Sequence, residues 1–242
     1  MARLKVLSID FDYFQKVDKS TITNCYPDGI DVPTDVSSII WSGYYANPKS
    51  SEQLQHVDIL SEEFETLKSI LTSNKNVKKS APVMIANSHV HIYDFIHKMV
   101  PIFKADGVNI VNIDMHHDMF NETGNLDCGN WLSYITDDFK DNCSISWIAN
   151  PTSIECYGFK TGELSNLPTS IQEIINCKFD IIFLCRSDNW LPPHLDIYFD
   201  ELVQLIANRF KHISIEKCVQ QIRNIQPMID AQREILAKIM TN

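Results

Sequence analysis

Short apolar, β-branched segments alternate with segments of helical periodicity along this chain, and this alternation most restricts its fold. The apolar segments predict strands at Lys5–Ile9, Val83–Ala86, Val108–Ile113, Ser144–Ile148 and Asp180–Cys185. Continuous apolar strands separated by helices are typical of a parallel sheet that is covered by helices on both faces. The sequence therefore predicts an α/β fold, a three-layer sandwich with a mainly parallel sheet. The length of 242 residues suits one domain over 1–242.

The segments between the predicted strands carry apolar stripes with helical spacing. These stripes are Phe64, Leu67, Ile70 and Leu71; Ile92, Phe95, Ile96, Met99 and Phe103; Trp131, Leu132 and Ile135; Ile171, Ile174 and Ile175; and Leu202, Leu205 and Ile206. Ser61 is expected to cap the first of these helices. A last amphipathic helix over Pro227–Met240 is expected to pack on the outside of the sheet. Because Gln15–Leu60 is polar, contains Pro and Gly and lacks a periodic run, it predicts a loop-rich insertion, either a wall of a site or a surface loop.

Charge and composition exclude some partners. Hydrophobic residues make up 44% of the chain, enough for a sizeable core, and the formal net charge is −10 with a pI near 5.2. An acidic protein repels the phosphates of nucleic acids, whereas a cationic substrate is attracted. We therefore expect no nucleic-acid partner.

The cysteines and the N-terminus bear on the compartment. The 7 cysteines are odd in number and form no Cys-x-x-Cys pair, which is typical of reduced thiols. The N-terminal sequence leads within ten residues into a predicted strand with acidic residues and lacks the apolar core of a signal peptide. No apolar segment approaches the length needed to span a membrane. These features predict a cytoplasmic protein with no membrane partner.

Metal-type side chains follow three of the predicted strands, within Ser8–Phe14, Asn87–His91 and Asn112–Met119. The candidate ligands are Asp10, Asp12, His89, Asp114, His116 and Asp118. The last three are spaced by two residues, which puts their side chains on one side if the backbone stays extended. Carboxylates and imidazoles suit a hard or borderline divalent ion, and ligands collect at the carboxyl ends of parallel strands. The sequence thus predicts a metal site at that edge.

Each segment also has a simpler interpretation. Asp10 and Asp12 are common turn residues, and a single histidine such as His89 or His91 is often a hydrogen-bonded structural residue. The group that follows Val108–Ile113 is harder to explain in this way. Its three ionisable side chains repel or desolvate one another unless a cation compensates them. A metal site explains all three segments together.

In these motifs the chain resembles the arginase and deacetylase superfamily, the ureohydrolase-like fold. His89 matches the histidine that follows one strand in arginases, Asp114–Asp118 matches their Asp-x-His-x-Asp motif, and Asp10 with Asp12 matches their Asp-x-Asp motif. The Asp-x-Asp motif normally lies near the C-terminal end, so the resemblance implies a circularly permuted sheet. Together with Asp127–Trp131, the arrangement looks most like the small peptide arginases, which convert arginine side chains of ribosomally made peptides into ornithine. The resemblance implies two Mn²⁺ ions per chain, an arginine-containing peptide as substrate, and urea as the second product.

The resemblance also suggests roles outside the ligand set. Asp118 or Asp12 is expected to accept or relay a proton. His91 or His117 is expected to replace the auxiliary histidine of ordinary arginases, because Trp131-Leu132 stands where those enzymes have Leu-His. The candidate substrate-binding residues are Asp188, Asn130 and Glu155. Asp188 has the alternative of a salt bridge with Arg186, and Glu155 that of an exposed surface residue.

Competing functions remain open on the sequence alone. A deacetylase or amidohydrolase of the same fold would hold one Zn²⁺, and a ureohydrolase could act on free arginine or agmatine. A non-catalytic module with a structural metal is disfavoured, because such sites are usually closed and rich in Cys or His. The sequence has no coiled-coil seam and leaves the oligomeric state undetermined.

Overall fold

The structure, a computed structural model, describes residues 2–27, 31–120, 124–157, 170–219 and 222–240. Its central sheet has 6 strands, which are β1 (Arg3–Asp10), β4 (Pro82–Ala86), β5 (Gly107–Asp114), β6 (Cys143–Ala149), β7 (Ile181–Cys185) and β8 (His212–Ile215). Their order is β6-β5-β1-β7-β4-β8, and every neighbouring pair is parallel. The predicted parallel sheet is confirmed. The permuted order of the family motifs stays a prediction.

Helices cover both faces of the sheet and give three layers. The α-helices are α1 (Lys19–Cys25), α2 (Thr34–Ala46), α3 (Pro48–Leu54), α4 (Ser61–Thr72), α5 (His91–Phe103), α6 (Trp131–Phe139), α7 (Ser153–Tyr157), α8 (Asp196–Arg209) and α9 (Gln226–Met240). In β1, Leu4 and Val6 pack with α5 and α6, whereas Leu7 and Ile9 pack in the core that contains α4 and α8. Because successive strand residues point to opposite faces, a continuous apolar run is needed to fill both cores.

Several local predictions need correction. Ser61 is the first residue of α4 rather than its cap, and Leu60 at the cap position makes no side-chain cap bond. The stripe that ends at Ile175 forms only a short 3₁₀ helix over Ile171–Ile174. The strand β8 was missed because it is a short, partly exposed edge strand with little apolar signal.

The segment 15–60 is not the loop-rich insertion that its composition predicted. It contains α1, α2 and α3, together with a two-stranded antiparallel pair formed by β2 (Gln15–Lys16) and β3 (Asp58–Ile59). The 13-residue helix α2 buries Trp41 and Ala46 but also three serines, Ser37, Ser38 and Ser42. A face built largely of small polar residues gives no apolar stripe, which is why periodicity did not indicate this helix.

The C-terminal helix α9 packs against α2 rather than on the outside of the sheet. Gln232 Nε2 donates a hydrogen bond of 2.7 Å to Ser42 Oγ, and Arg233 Nη2 donates one of 3.1 Å to the Tyr45 backbone oxygen. The small residues of α2 allow this approach, which the sequence of α9 does not reveal. Among the described residues, none of the helices has both the length and the apolar character needed to cross a lipid bilayer.

Candidate metal centre

The sheet brings the acidic motifs together at the carboxyl ends of its central strands. In the parallel pairing of β1 with β5, Ile9 lies opposite Ile113, so Asp10 and Asp114 end neighbouring strands side by side. His89 follows β4, which is separated from β1 by β7. Its imidazole therefore reaches Asp10 across β7, and Asp114 across β7 and β1.

The first group of candidate ligands surrounds His89. Its Nδ1 lies 3.2 Å from Asp10 Oδ2, 3.1 Å from Asp114 Oδ2 and 2.9 Å from Asp118 Oδ2. All four side chains are buried. One imidazole nitrogen thus shares a small space with three carboxylate oxygens.

The second group surrounds His116 on the other side of Asp114. His116 Nδ1 lies 3.0 Å from Asp12 Oδ2 and 3.7 Å from Asp114 Oδ1. Asp114 therefore turns Oδ2 toward one imidazole and Oδ1 toward the other. A carboxylate in this position can bridge two cations, and each three-residue group, Asp10–His89–Asp114 and Asp12–Asp114–His116, can hold a metal ion.

The polar atoms in the centre are suited to a cation. Asp12 Oδ2 and His89 Nδ1 are buried and have no partner with hydrogen-bond geometry among the described residues. Buried polar atoms normally have a partner, because desolvation without one is costly. Oxygen-rich groups with one imidazole each are the donor set of a divalent ion such as Mn²⁺. The residues present therefore fit the metal that the motifs imply.

The electrostatics of the carboxylates lead to the same conclusion. Burial, reinforced by the charges of Asp12 and Asp114, raises the pKa of Asp10 to about 8. Burial also raises the pKa of Asp118 well above its usual range, with a further contribution from Asp114. For Asp114 burial acts in the same direction, but close contacts with the imidazoles of His116 and His89 outweigh it and lower its pKa. Crowded carboxylates of this kind retain protons unless a cation offsets their charge.

Further contacts, which the sequence did not indicate, orient these ligands. His89 Nε2 lies 2.7 Å from Ser8 Oγ, which leaves Nδ1 directed at the carboxylates. Asn112 Nδ2 donates a 3.1 Å hydrogen bond to Asp114 Oδ2. Each of these partners lies two residues before an aspartate of the centre, and period-two spacing is the signal that could have identified them.

Two indoles hold the chain on the side of β5. Trp131 Nε1 donates a 2.5 Å hydrogen bond to Asp118 Oδ2, and Trp147 Nε1 donates one of 3.0 Å to the backbone oxygen of Asp114. Asp118 has a φ of 51°, a left-handed conformation that costs a non-glycine residue about 1–3 kcal/mol. The extended backbone assumed for the Asp-x-His-x-Asp motif is therefore wrong beyond Asp114, where β5 ends. Asp118 reaches the centre through a turn instead.

Hydrogen bonds hold the turn that follows β1 in place. Phe11–Phe14 form a 3₁₀ helix that Asp10 caps by accepting a hydrogen bond from the Asp12 backbone N–H. Asn150 Nδ2 donates to the backbone oxygens of Tyr13 and Gln15 at 2.6 and 2.8 Å. Since the segment is anchored on both sides, Asp12 has little freedom to move away from His116.

Asp188, a predicted substrate-binding residue, is already paired within the protein. Its carboxylate accepts hydrogen bonds from Arg186 Nε at 2.5 Å and Nη2 at 3.2 Å, and from Thr34 Oγ1 at 2.5 Å. Both ion-pair partners are buried. The structure therefore shows the alternative, a salt bridge with Arg186, and not a carboxylate open to a substrate.

The other predicted substrate-binding residues also have local roles. Asn130, at the cap of α6, accepts a 2.8 Å hydrogen bond from the Asp127 backbone N–H and donates one of 2.7 Å to the Asn125 backbone oxygen. It closes the loop before α6. Glu155 is exposed on α7, as its alternative interpretation held.

The two auxiliary histidines are half-buried, and neither belongs to the three-residue metal groups. His91 begins α5. His117 Nδ1 accepts a 3.0 Å hydrogen bond from the Met119 backbone N–H, and its ring lies 4.1 Å from that of Phe120. A proton-carrying role for either stays a prediction. In comparisons with known proteins, the chain matches no protein-family model, no curated protein and no solved structure.

Proposed function

We propose that this protein is a hydrolase with two Mn²⁺ ions that cleaves the guanidinium group of arginine side chains in a peptide. The products are urea and an ornithine side chain. The observation that carries the proposal is the shared carboxylate of Asp114, which turns one oxygen toward each of two histidine-containing groups. A single structural ion would not need two such groups around one bridging carboxylate.

The ligands divide between the two sides of Asp114. His89, Asp10 and Asp118 would hold one ion, and His116 with Asp12 would hold the other. When bound, a pair of divalent ions acidifies water and stabilises negative charge that develops on oxygen. Asp118 is the residue that we assign to accept or relay a proton, because its carboxylate lies in the centre, 2.9 Å from His89 Nδ1.

The surroundings of the centre favour a cationic substrate. The chain carries a net charge of −10, and the centre lies at the carboxyl edge of a parallel sheet, where ligands are bound in such folds. The preference for peptide-borne arginine over free arginine rests on the resemblance to peptide arginases. The negative charge of the chain and the position of the centre would also suit free arginine and agmatine, so the experiment compares these two molecules with the peptide.

The test is incubation of the Mn²⁺-loaded protein with an arginine-containing peptide, with free arginine and with agmatine, each analysed by mass spectrometry and by a urea assay. We expect the arginine side chain of the peptide to lose its amidino group, which is released as urea. We expect an Asp114→Asn variant to leave the peptide unchanged. Metal content is measured on the same sample. One Zn²⁺ per chain together with removal of acyl groups from a peptide would favour the deacetylase alternative and contradict the proposal.

A further inference from the structure

The start of α2 lies against the loops that follow β4 and β7. Ser88 Oγ donates a hydrogen bond to the Asp31 carboxylate, and Asn87 Nδ2 donates one of 3.3 Å to Thr34 Oγ1. Thr34 in turn donates to Asp188, which follows β7. The segment from Asp31 to Thr34 therefore lies at the carboxyl edge of the sheet, against the residues that directly precede His89.

Asp31 is close to the His89 side of the centre. The residue that holds it, Ser88, precedes His89 in the chain. Burial raises the pKa of the nearby Cys128 thiol, and the negative charges of Asp31 and Asp118 add to this effect. The charges of Asp31 and of the candidate ligand Asp118 thus both act on this half-buried thiol.

The carboxylate of Asp31 is available in a way that Asp188 is not. Asp188 is neutralised by the buried guanidinium of Arg186, whereas the contact assigned to the half-buried Asp31 is with the uncharged hydroxyl of Ser88. Burial raises the pKa of Asp31; the hydrogen bond from Ser88 and the charge of His91 oppose this rise, and the charge of Asp188 adds to it. A cation beside Asp31 would offset the cost of its buried charge. The neighbouring His89 belongs to the candidate metal centre, where its Nδ1 faces three carboxylate oxygens, so a substrate held by Asp31 would lie beside that centre.

We propose that the Asp31 carboxylate, oriented by Ser88, binds the guanidinium group of the substrate arginine. This inference rests on the proposed function and names a residue that neither the motifs nor the family resemblance indicated. A guanidinium group presents parallel N–H donors that match the two oxygens of a carboxylate. The hydrogen bond from Ser88 fixes the plane of the carboxylate, so that its remaining acceptor positions can receive those donors. Asp31 thus takes the role that the sequence suggested for Asp188.

The test uses Asp31→Asn in the full-length, Mn²⁺-loaded protein, with Asp35→Asn as the matched control. Asp35 lies four positions later, exposed in the first turn of α2, so its removal makes the same change in net charge. Binding of an arginine peptide and of the same peptide with neutral citrulline is measured by calorimetry, and KM and kcat are measured by urea release. Loss of a charge-assisted pair predicts a dissociation constant and a KM about 10- to 100-fold higher for Asp31→Asn with the arginine peptide. We expect unchanged Mn²⁺ stoichiometry and no effect in Asp35→Asn.

The outcomes separate this inference from the proposed function. If the wild type binds the arginine peptide more tightly than the citrulline peptide and Asp31→Asn loses that preference, the inference stands. If no urea forms in that case, the proposed reaction fails while the inference still stands. If the wild type releases urea and Asp31→Asn binds and turns over like Asp35→Asn, the inference is overturned and the reaction stands. Absence of any preference for arginine in the wild type overturns the inference directly. Ser88→Ala is a second variant, for which we expect a smaller rise in KM in the same direction.

Discussion

Replacement of Trp131 by Phe tests whether the hydrogen bonds around the centre hold the ligands in place. The substitution removes the indole N–H that donates to Asp118 Oδ2 over 2.5 Å, between two buried side chains. A hydrogen bond to a charged group contributes about 1.5–3 kcal/mol, and about 1.4 kcal/mol corresponds to a tenfold change in affinity. Because Asp118 also has a left-handed backbone conformation, loss of this bond leaves it free to relax out of the centre. We therefore expect Mn²⁺ to bind about 10- to 100-fold more weakly, as is typical when a partner of a metal ligand is lost.

The chain supplies a matched control in Trp147→Phe. Trp147 is also buried and donates its indole N–H over 3.0 Å, but the acceptor is the neutral backbone oxygen of Asp114. A neutral hydrogen bond contributes only about 0.5–1.5 kcal/mol, so we expect less than about a tenfold loss of Mn²⁺ affinity. Both variants remove the same atoms from a packed interior, which makes their packing losses comparable.

The assay is calorimetric titration of chelator-treated protein with Mn²⁺, beside urea denaturation in the presence of chelator. Denaturation measures the loss of packing, and the titration measures the loss of ligand orientation. We expect the two variants to be similarly destabilised and to differ in Mn²⁺ affinity. Equal Mn²⁺ affinity for Trp131→Phe and Trp147→Phe would refute the reasoning that the indole of Trp131 positions Asp118.

Other perturbations give separate tests. Asp114→Asn removes the carboxylate common to both groups, so elemental analysis should find fewer than two Mn²⁺ per chain; two equivalents with normal turnover would contradict the assignment. Asp188→Ala leaves the buried guanidinium of Arg186 without its bidentate partner. In urea denaturation we expect the free energy of unfolding to fall by about 3–5 kcal/mol, and a loss below about 1 kcal/mol would count against a structural ion pair. Asn150→Ala removes the donor to two backbone oxygens, which predicts a loss of about 1–3 kcal/mol in the same assay and weaker Mn²⁺ binding. Because burial raises the pKa of Asp10 from 3.8 to about 8, its protonated form stabilises the fold, and this contribution is lost as the pH rises from about 4 to about 8. In chelator the thermal midpoint should therefore fall over that range, whereas the stabilisation by added Mn²⁺ should grow with pH; a midpoint independent of pH would argue against a crowded carboxylate centre.

The sequence by itself determined the parallel sheet and which carboxylate and imidazole side chains lie at its carboxyl edge. Continuous apolar runs such as Val108–Ile113 must be buried on both faces, and a polar motif that follows such a run must lie at the end of a strand. These are local properties, so they predicted that Asp10, Asp114 and His89 would meet at the carboxyl edge, and the structure brings them together. The segments that were misjudged, such as α2 with its buried serines, carry no local apolar signal.

Only the tertiary structure decided how the side chains at that edge share their partners. Asp114 serves two imidazoles because His89 crosses from β4 while His116 turns back beyond β5. Arg186 binds Asp188 and thereby removes it from the residues available to a substrate, whereas the segment before α2 carries Asp31 to the hydroxyl of Ser88. Pairings of this kind depend on distances between segments far apart in the chain. Since charges and hydrogen bonds act over a few ångströms, only the folded arrangement decides which carboxylate is neutralised within the protein and which is free to bind a cation.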